Sequence, residues 1–387
     1  MYRDHTIGVV VPAYNEEGFV GEVIETLPAY VDRAYVVDDC STDGTWDEIR
    51  ETAERVNDES VTLHYHEAEA MADGGSRSDE GSRTADTDAR TDGDVETDGG
   101  MTMTPGAADV QLAPDSLEEV SVFDDRIVPI QHEENRGVGG AIKTGYLRAL
   151  SDEIDVTAVM GGDGQMDPDI LYKFLDPIVE DRADYAKGNR LLYKDFREGM
   201  STWRFFGNSI LTFLTKISSG YWKTMDPQNG YTAISRYALE NVGIEDMYEY
   251  YGYCNDLLVK LNAKGMRVAD VAMPAVYGDE ESSIEYSTYI RKVSGMLLGN
   301  FLWRLKVKYM VLDFHPLALF YLLGGLTATL GALGGMWSVY QKVVMNNPLF
   351  IRATSSLMLF TMGSMFIMFA MLFDMQVNEP KEVQVRD

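Results

Sequence analysis

Residues 6–14, Thr-Ile-Gly-Val-Val-Val-Pro-Ala-Tyr, form a nearly continuous apolar run. Such a run, without polar alternation, predicts a strand buried on both faces, as in a parallel sheet. Asn15, Glu16 and Glu17 then open a predicted helix reaching about residue 27. A second strand covers 34–39 and closes on the adjacent acids Asp38 and Asp39. Its exit loop, 40–45, is rich in oxygen acceptors and helix-capping residues and leads into a helix over about 46–56. Further strands are predicted over 126–130, 156–160, 184–188 and 267–273, with one more after the polar turn at 226–231. Helical patterns occupy 170–179, 202–219 and 253–261. Strand–helix alternation of this kind argues for a right-handed α/β unit with a mostly parallel central sheet and sites at the carboxyl ends of its strands.

The pattern is interrupted once and changes character at the end. Over 67–125 Gly, Ser, Thr, Asp and Ala dominate and large apolar residues are few, which predicts a disordered acidic insertion inside an α/β domain of residues 1–285. The helix at 202–219 is strongly apolar, with Trp203, Phe205, Phe206, Leu211, Phe213 and Leu214. Core packing is the favoured reading for it, and a helix lying near lipid is the other. Residues 286–312 are amphipathic: Ile290, Val293, Leu297, Phe301 and Leu305 fall at helical spacing. Arg291, Lys292, Arg304, Lys306 and Lys308 add basic charge with no intervening acid, which points to anionic lipid headgroups, with packing on the soluble domain as the alternative. Residues 317–339 and 354–373 carry no charged side chain. Each is long enough to cross a hydrocarbon core of about 30 Å, which needs about 20 helical residues. A transmembrane hairpin over 315–374 is therefore expected, with a turn at 340–352 and a cytoplasmic tail at 375–387. The basic residues before the first span place the large α/β domain on the cytoplasmic side of the cell membrane.

Composition narrows the partners. Against 33 Lys and Arg stand 62 Asp and Glu, a net charge of −29. Nucleic acid is excluded as a partner, because binding it requires basic surface. Abundant aspartate and sparse lysine suit a protein hydrated in concentrated salt, so a halophilic source is expected. Cys40 and Cys254 form no metal spacing or disulfide framework, and the N-terminus enters a strand pattern directly, so no signal peptide is expected.

The chemistry concentrates at predicted strand ends. After the fourth strand come Gly161, Gly162, Asp163, Gly164 and Gln165, then Pro168 at a helix start. Asp163 and Gln165 offer two oxygen ligands of the kind a hard cation holding a diphosphate requires; an acidic turn capping a helix is the bland alternative. Residues 134–146, Glu-Asn-Arg-Gly-Val-Gly-Gly-Ala-Ile-Lys-Thr-Gly-Tyr, can receive a phosphate on backbone N–H groups at a helix start. They lack the Gly-Lys-Ser/Thr ending of a P-loop and the spacing of a dinucleotide fingerprint.

Four stretches in order, Val-Pro-Ala-Tyr-Asn-Glu at 11–16, Val-Asp-Asp-Cys-Ser-Thr-Asp-Gly-Thr at 37–45, Asn-Arg-Gly-Val-Gly-Gly-Ala at 135–141 and Gly-Asp-Gly-Gln-Met-Asp-Pro at 162–168, resemble glycosyltransferase family 2. Within that family the chain is similar to polyprenyl-phosphate sugar synthases of the dolichol-phosphate type. The resemblance covers roughly 6–66 and 126–285 and implies a GT-A-type nucleotide-sugar-binding domain. Pro12, Ala13, Tyr14 and Glu16 would line the base and ribose pocket, and Asp39, with Asp38 beside it, would accept from the base edge. Helix capping is the alternative for both acids. Gly139, Lys143 and Asp163 complete the implied donor-binding set. Asp163 and Gln165 would hold Mg2+ or Mn2+, although residue 161 is glycine where the family usually has aspartate. Asp256 stands near the family's base, with a helix N-terminal acid as its other reading. Arg190 and the turn at 226–229 are acceptor-side candidates. Relatives often hold lipid phosphate with basic residues near the loop at 278–283, which is acidic here, leaving that part to Arg291 or Lys292.

The implied reaction is inverting transfer of a sugar from a UDP- or GDP-linked donor to polyprenyl or dolichyl phosphate, for glycan or glycoprotein assembly. Membrane lipids would be further partners, and a homo-oligomer is left open. Rival readings are an enzyme extending a lipid-linked or surface saccharide, a membrane scaffold binding nucleotide-sugar without turnover, and a nucleotidyltransferase.

Overall fold

The computed structural model describes residues 1–58, 125–191, 202–274 and 286–385, apart from positions 347 and 349. The acidic insertion up to residue 124 and the loop at 278–283 lie outside the described residues, as do the side chains of Trp203, Phe205, Phe206 and Ile290.

One eight-stranded sheet organises the chain, in the order β3–β2–β1–β4–β6–β5–β7–β8. Its strands are β1 Ile7–Ala13, β2 Arg33–Asp38, β3 Ile127–Gln131, β4 Val156–Val159, β5 Tyr185–Asn189, β6 Thr232–Ser235, β7 Val268–Ala272 and β8 Glu382–Val385. β6 runs antiparallel to β4 and β5, and every other neighbouring pair is parallel. Both faces are covered, which is why the strands read as apolar runs rather than alternations. Ile7, Val9, Val11 and Ala13 of β1 join one core with α1 (Val20–Glu25), α2 (45–58) and α4 (Leu171–Val179). Val10, pointing the other way, joins a second core with α3 (Val138–Ser151), α6 (Arg236–Asn241) and α7 (Tyr253–Ala263).

Residues 15–19 are not helical, contrary to the apolar pattern's reading. Their N–H groups are taken by the neighbouring loop and α2: Asn15 donates to Ser41 Oγ at 3.0 Å, Glu16 to Thr45 Oγ1 at 2.8 Å and Gly18 to Glu48 Oε2 at 2.6 Å. Asn15 and Gly18 adopt positive φ, which a helix does not allow, so α1 starts only at Val20.

Four helices complete the chain: α5 Thr202–Ser219, α8 Tyr286–Lys306, α9 Leu317–Met345 and α10 Phe350–Asn378. A π-helical turn, Val307–Leu312, links α8 towards α9. Two helical segments, Leu317–Met345 and Phe350–Lys381, are long and apolar enough to cross a membrane. They pack as an antiparallel hairpin through small residues: a Cβ on Gly331 would lie 2.4 Å from Phe360 N. The expected turn at 340–352 shrinks to the few residues between Met345 and Phe350.

The basic cluster of the amphipathic region divides differently from expectation. Arg291 and Lys292 are exposed, whereas Arg304 and Lys308 are buried. Arg304 donates to both carboxylate oxygens of Asp374, at 2.8 and 3.0 Å, with neither side chain exposed, and to the Ile217 carbonyl at 3.1 Å. The Tyr309 hydroxyl and Asn378 Nδ2 also donate to Asp374 Oδ1. Lys308 donates to Asn262 Oδ1 at 2.6 Å and Asn378 Oδ1 at 2.7 Å. Burial, then the nearby cations Lys381 and Arg304, pull its amine down to about 6. The apolar stripe of α8 likewise turns inward, with Val293 and Leu297 buried against Leu211 of α5. Packing on the globular domain, rather than headgroup binding, accounts for this face.

The segment expected to be a simple tail, 375–387, continues α10 to Asn378 and then supplies β8, which pairs with β7 in parallel. Val383 and Val385 pack on the first core. The Glu382 carboxylate accepts from the N–H groups of Trp222 (3.0 Å), Lys223 (2.6 Å) and Thr224 (2.9 Å).

Candidate active site

A cavity of about 410 Å³ opens at the carboxyl ends of β1, β2 and β4. Pro12, Ala13, Tyr14, Glu16, Asp39 and Asp163 line it, so six of the predicted residues come together. Tyr14 presents an exposed ring there. Also lining it are Asn135, Val138 and Ile142 of the 134–146 loop, Met166 of the 162–168 motif, Gly230 of the 226–231 turn and, outside the quoted motifs, the tyrosines 250, 251 and 253.

The two acids after β2 do different work. Asp38 is fully buried and accepts from Ser41 N at 3.2 Å and Gln131 Nε2 at 3.1 Å, fixing the turn and its bond to β3. Asp39 faces the cavity. Its Oδ1 accepts from the Arg136 N–H at 2.9 Å and sits 2.7 Å from His132 Nδ1, whose other ring nitrogen lies 2.9 Å from Thr144 Oγ1 on α3.

At the end of β4, Asp163 Oδ1 accepts the Gln165 N–H at 3.1 Å, which orients the carboxylate in the cavity wall. A Cβ at position 161 would lie 2.9 Å from that same oxygen, so glycine there leaves Asp163 undisturbed. Among the described residues no group of three His, Cys, Asp or Glu side chains could hold a metal. A single carboxylate in the wall suits Mg2+ or Mn2+ that takes its remaining oxygens from a bound diphosphate and water.

The glycine loop is crowded by protein. A Cβ on Gly139 would lie 2.5 Å from the Tyr248 carbonyl, and Gly140 N donates to the Glu249 carbonyl at 2.9 Å. Close approach of the 248–250 loop therefore requires glycine here. Lys143 pairs with Glu249 at 2.8 Å, and neither it nor Gly139 lines the cavity.

Arg190 and Asp256 also stand apart from the cavity lining. Arg190, just past β5, holds Asp226 bidentately at 2.7 and 3.0 Å. Burial opposes ionisation of Asp226, but the bonds and charge of Arg190, with Lys187, hold its carboxyl below the ordinary value. Asp256, on the first turn of α7, is buried: it accepts from Tyr248 N at 3.1 Å and Asn300 Nδ2 at 2.7 Å and pairs with Lys260 at 3.3 Å. In this arrangement it ties the 248–250 loop to α7 and α8.

A sequence model of glycosyl transferase family 2 matches residues 8–72 and 110–243, just over half of the chain. The chain belongs to glycosyltransferase family 2. It is 30% identical over 152 residues to a UDP-N-acetylglucosamine–dolichyl-phosphate N-acetylglucosaminyltransferase of Methanococcus voltae, covering 39% of this chain and 60% of that protein. It is 27% identical over 157 residues to an uncharacterised protein of Methanocaldococcus jannaschii, covering 41% of this chain and 64% of that one. The chain thus spans less than two thirds of the length of either relative. Among solved structures, glucosyl-3-phosphoglycerate synthase from Mycobacterium tuberculosis aligns over 78% of this chain and 80% of that one, with a TM-score of 0.42 and 15% identity. S. aureus TarS with UDP aligns over 97% and 91%, with a TM-score of 0.35 and 12% identity. For this family 2 glycosyltransferase the mixed, mostly parallel sheet is the GT-A-type domain that the four motifs imply, and the cavity lies where those motifs meet.

Proposed function

We propose that this glycosyltransferase moves a sugar from a nucleoside diphosphate to a polyprenyl or dolichyl phosphate, with the α9–α10 hairpin in the cell membrane and the catalytic domain on its cytoplasmic face. The donor's base and ribose would sit among Pro12, Ala13, Tyr14, Glu16 and Asp39. Asp163, with Gln165, would hold Mg2+ or Mn2+, which supplies charge neutralisation to the departing diphosphate. A phosphate oxygen of the acceptor attacks the anomeric carbon from the face opposite the leaving diphosphate, giving inversion. Arg190, held in place by Asp226, is the acceptor-side candidate. The hairpin is supported by its length and apolarity, and exposed Leu298, Leu302 and Trp303 on α8, with Ile210 and Phe213 on α5, extend an apolar surface beside it. The printed activity of the Methanococcus voltae relative also favours a dolichyl phosphate acceptor.

The observation that carries the acceptor class is the engagement of Asp256. A sugar hydroxyl needs a base, whereas a lipid phosphate is anionic near neutral pH and needs none. Asp256, the expected base, is already committed to Tyr248, Asn300 and Lys260. Asp256→Asn should therefore retain transfer within about threefold. A loss of about 10²–10⁴, the usual worth of a general base, would move the acceptor to a hydroxyl.

The direct test incubates the full chain with radiolabelled UDP- and GDP-sugars, UDP-N-acetylglucosamine first, and dolichyl phosphate in concentrated salt with Mg2+. Label in a mild-acid-labile lipid is expected. Label appearing only on addition of a lipid-linked saccharide, or donor bound without turnover, would replace this reading with the extension enzyme or the scaffold.

A further inference from the structure

The two oxygens of Asp39 are not equivalent, and the difference bears on which base the cavity accepts. Asp39 Oδ1 is filled by the Arg136 N–H at 2.9 Å and by His132 Nδ1 at 2.7 Å. An ionised carboxylate only accepts, so this contact makes Nδ1 the protonated nitrogen. The second ring nitrogen, Nε2, is met by Thr144 Oγ1 at 2.9 Å, so both edges of the buried imidazole are held, one by the β2 end and one by α3. Asp39 Oδ2 receives no hydrogen bond from the described residues, and Asp39 lines the cavity. A base entering beside Pro12 and Tyr14 therefore meets one open carboxylate oxygen instead of a symmetrical pair.

We propose that His132 is a base-discriminating positioning residue: by filling Asp39 Oδ1 it leaves Oδ2 alone to read a single imide N–H, so the site selects uracil over guanine. This rests on the reading of the cavity as a nucleoside diphosphate site. Uracil carries one N–H on its pairing edge, between two carbonyls, and one acceptor satisfies it. Guanine carries two adjacent N–H groups, at N1 and N2, which a carboxylate with both oxygens open would take together. Here one of the two finds no second carboxylate oxygen, beside a carboxylate that is itself buried. A buried unpaired donor costs about 1–3 kcal/mol, which corresponds to roughly a 5- to 150-fold preference for uracil.

The test measures dissociation constants of UDP, GDP and 3-methyl-UDP with Mg2+, by calorimetry on the full chain in detergent and concentrated salt, for the native protein, His132→Phe and His132→Asn. The native protein should prefer UDP to GDP by at least fivefold and lose a similar factor on N3 methylation. His132→Phe removes the donor to Oδ1 and should bring both ratios towards one. His132→Asn, whose amide can occupy the Nδ1 position, should keep most of the discrimination. Native binding of GDP as tight as UDP, or a His132→Phe protein that weakens all three ligands by one common factor, would overturn the proposal while leaving the nucleotide site standing. Failure of the native protein to bind either diphosphate would instead overturn the donor-site reading. Should His132→Phe fail to fold, the native response to N3 methylation still decides, since a site that tolerates 3-methyl-UDP does not read the imide through Oδ2.

Discussion

Asp374→Ala is expected to loosen the helical hairpin from the catalytic domain and to lower stability by about 3–5 kcal/mol, the cost of leaving one partner of a buried ion pair uncompensated. Arg304 has no solvent exposure, and its two Nη groups point at the two oxygens of Asp374. Removing that carboxylate strands a guanidinium among Asn262, Tyr309 and the Ile217 carbonyl, which satisfy donors but supply no charge. The check is thermal unfolding of the detergent-solubilised protein, together with protease cutting between α8 and α9. A melting temperature within about a degree of native would refute the reading. The double replacement Arg304→Met with Asp374→Leu should recover much of the loss, because apolar residues of similar volume often substitute for a buried pair without penalty. That recovery separates a stranded charge from simple loss of packing.

Asp163→Ala should lower kcat for sugar transfer by about 10²–10⁴ while leaving binding of free uridine unchanged. The size follows from removing the side chain that would hold a Lewis-acid cation, worth several kcal/mol at the departing group, with each 1.4 kcal/mol a factor of about ten. Chelation of divalent ions by EDTA should give a loss of the same order in the native protein, reversed by Mg2+ or Mn2+, and little further loss in Asp163→Ala. Full activity in EDTA, or an Asp163→Ala protein within threefold of native, would detach Asp163 from the diphosphate.

Much of the α/β domain was legible because strands buried on both faces are written as apolar runs. β1, β2 and β4 appear within a residue or two of expectation, and the residues at their ends meet in one cavity. β8 was not legible: four residues with alternating Glu, Val, Gln and Val beyond an apolar hairpin carry too little pattern to mark a strand 110 positions from its partner's end. The inward turn of Arg304 and Lys308 was latent in spacing, since both share the helical face of Leu297 and Phe301. Charge invited a headgroup assignment, while the compensating acid lay 70 residues away. His132 escaped for a similar reason. A histidine after a strand has no signature of its own, and its link to Asp39 spans 93 positions, across the insertion. Asp256 was placed near a base by its position in the chain, but position does not reveal that its carboxylate is already bonded to Tyr248 and Asn300.

The pairing of β8 with β7 fixes an order of assembly. Residues 382–385 leave the ribosome only after both apolar helices, so the catalytic sheet closes last, once the chain has gone out through the hairpin and returned. The hairpin is thus tethered at both ends, by α8 on entry and by a strand of the catalytic sheet on exit, and cannot swing as an anchor on one linker would. A version cut before residue 317 would lose more than the two apolar helices. It would expose the edge of β7 and leave the N–H groups of 222–224 without the Glu382 carboxylate, beside the aspartate that holds Arg190.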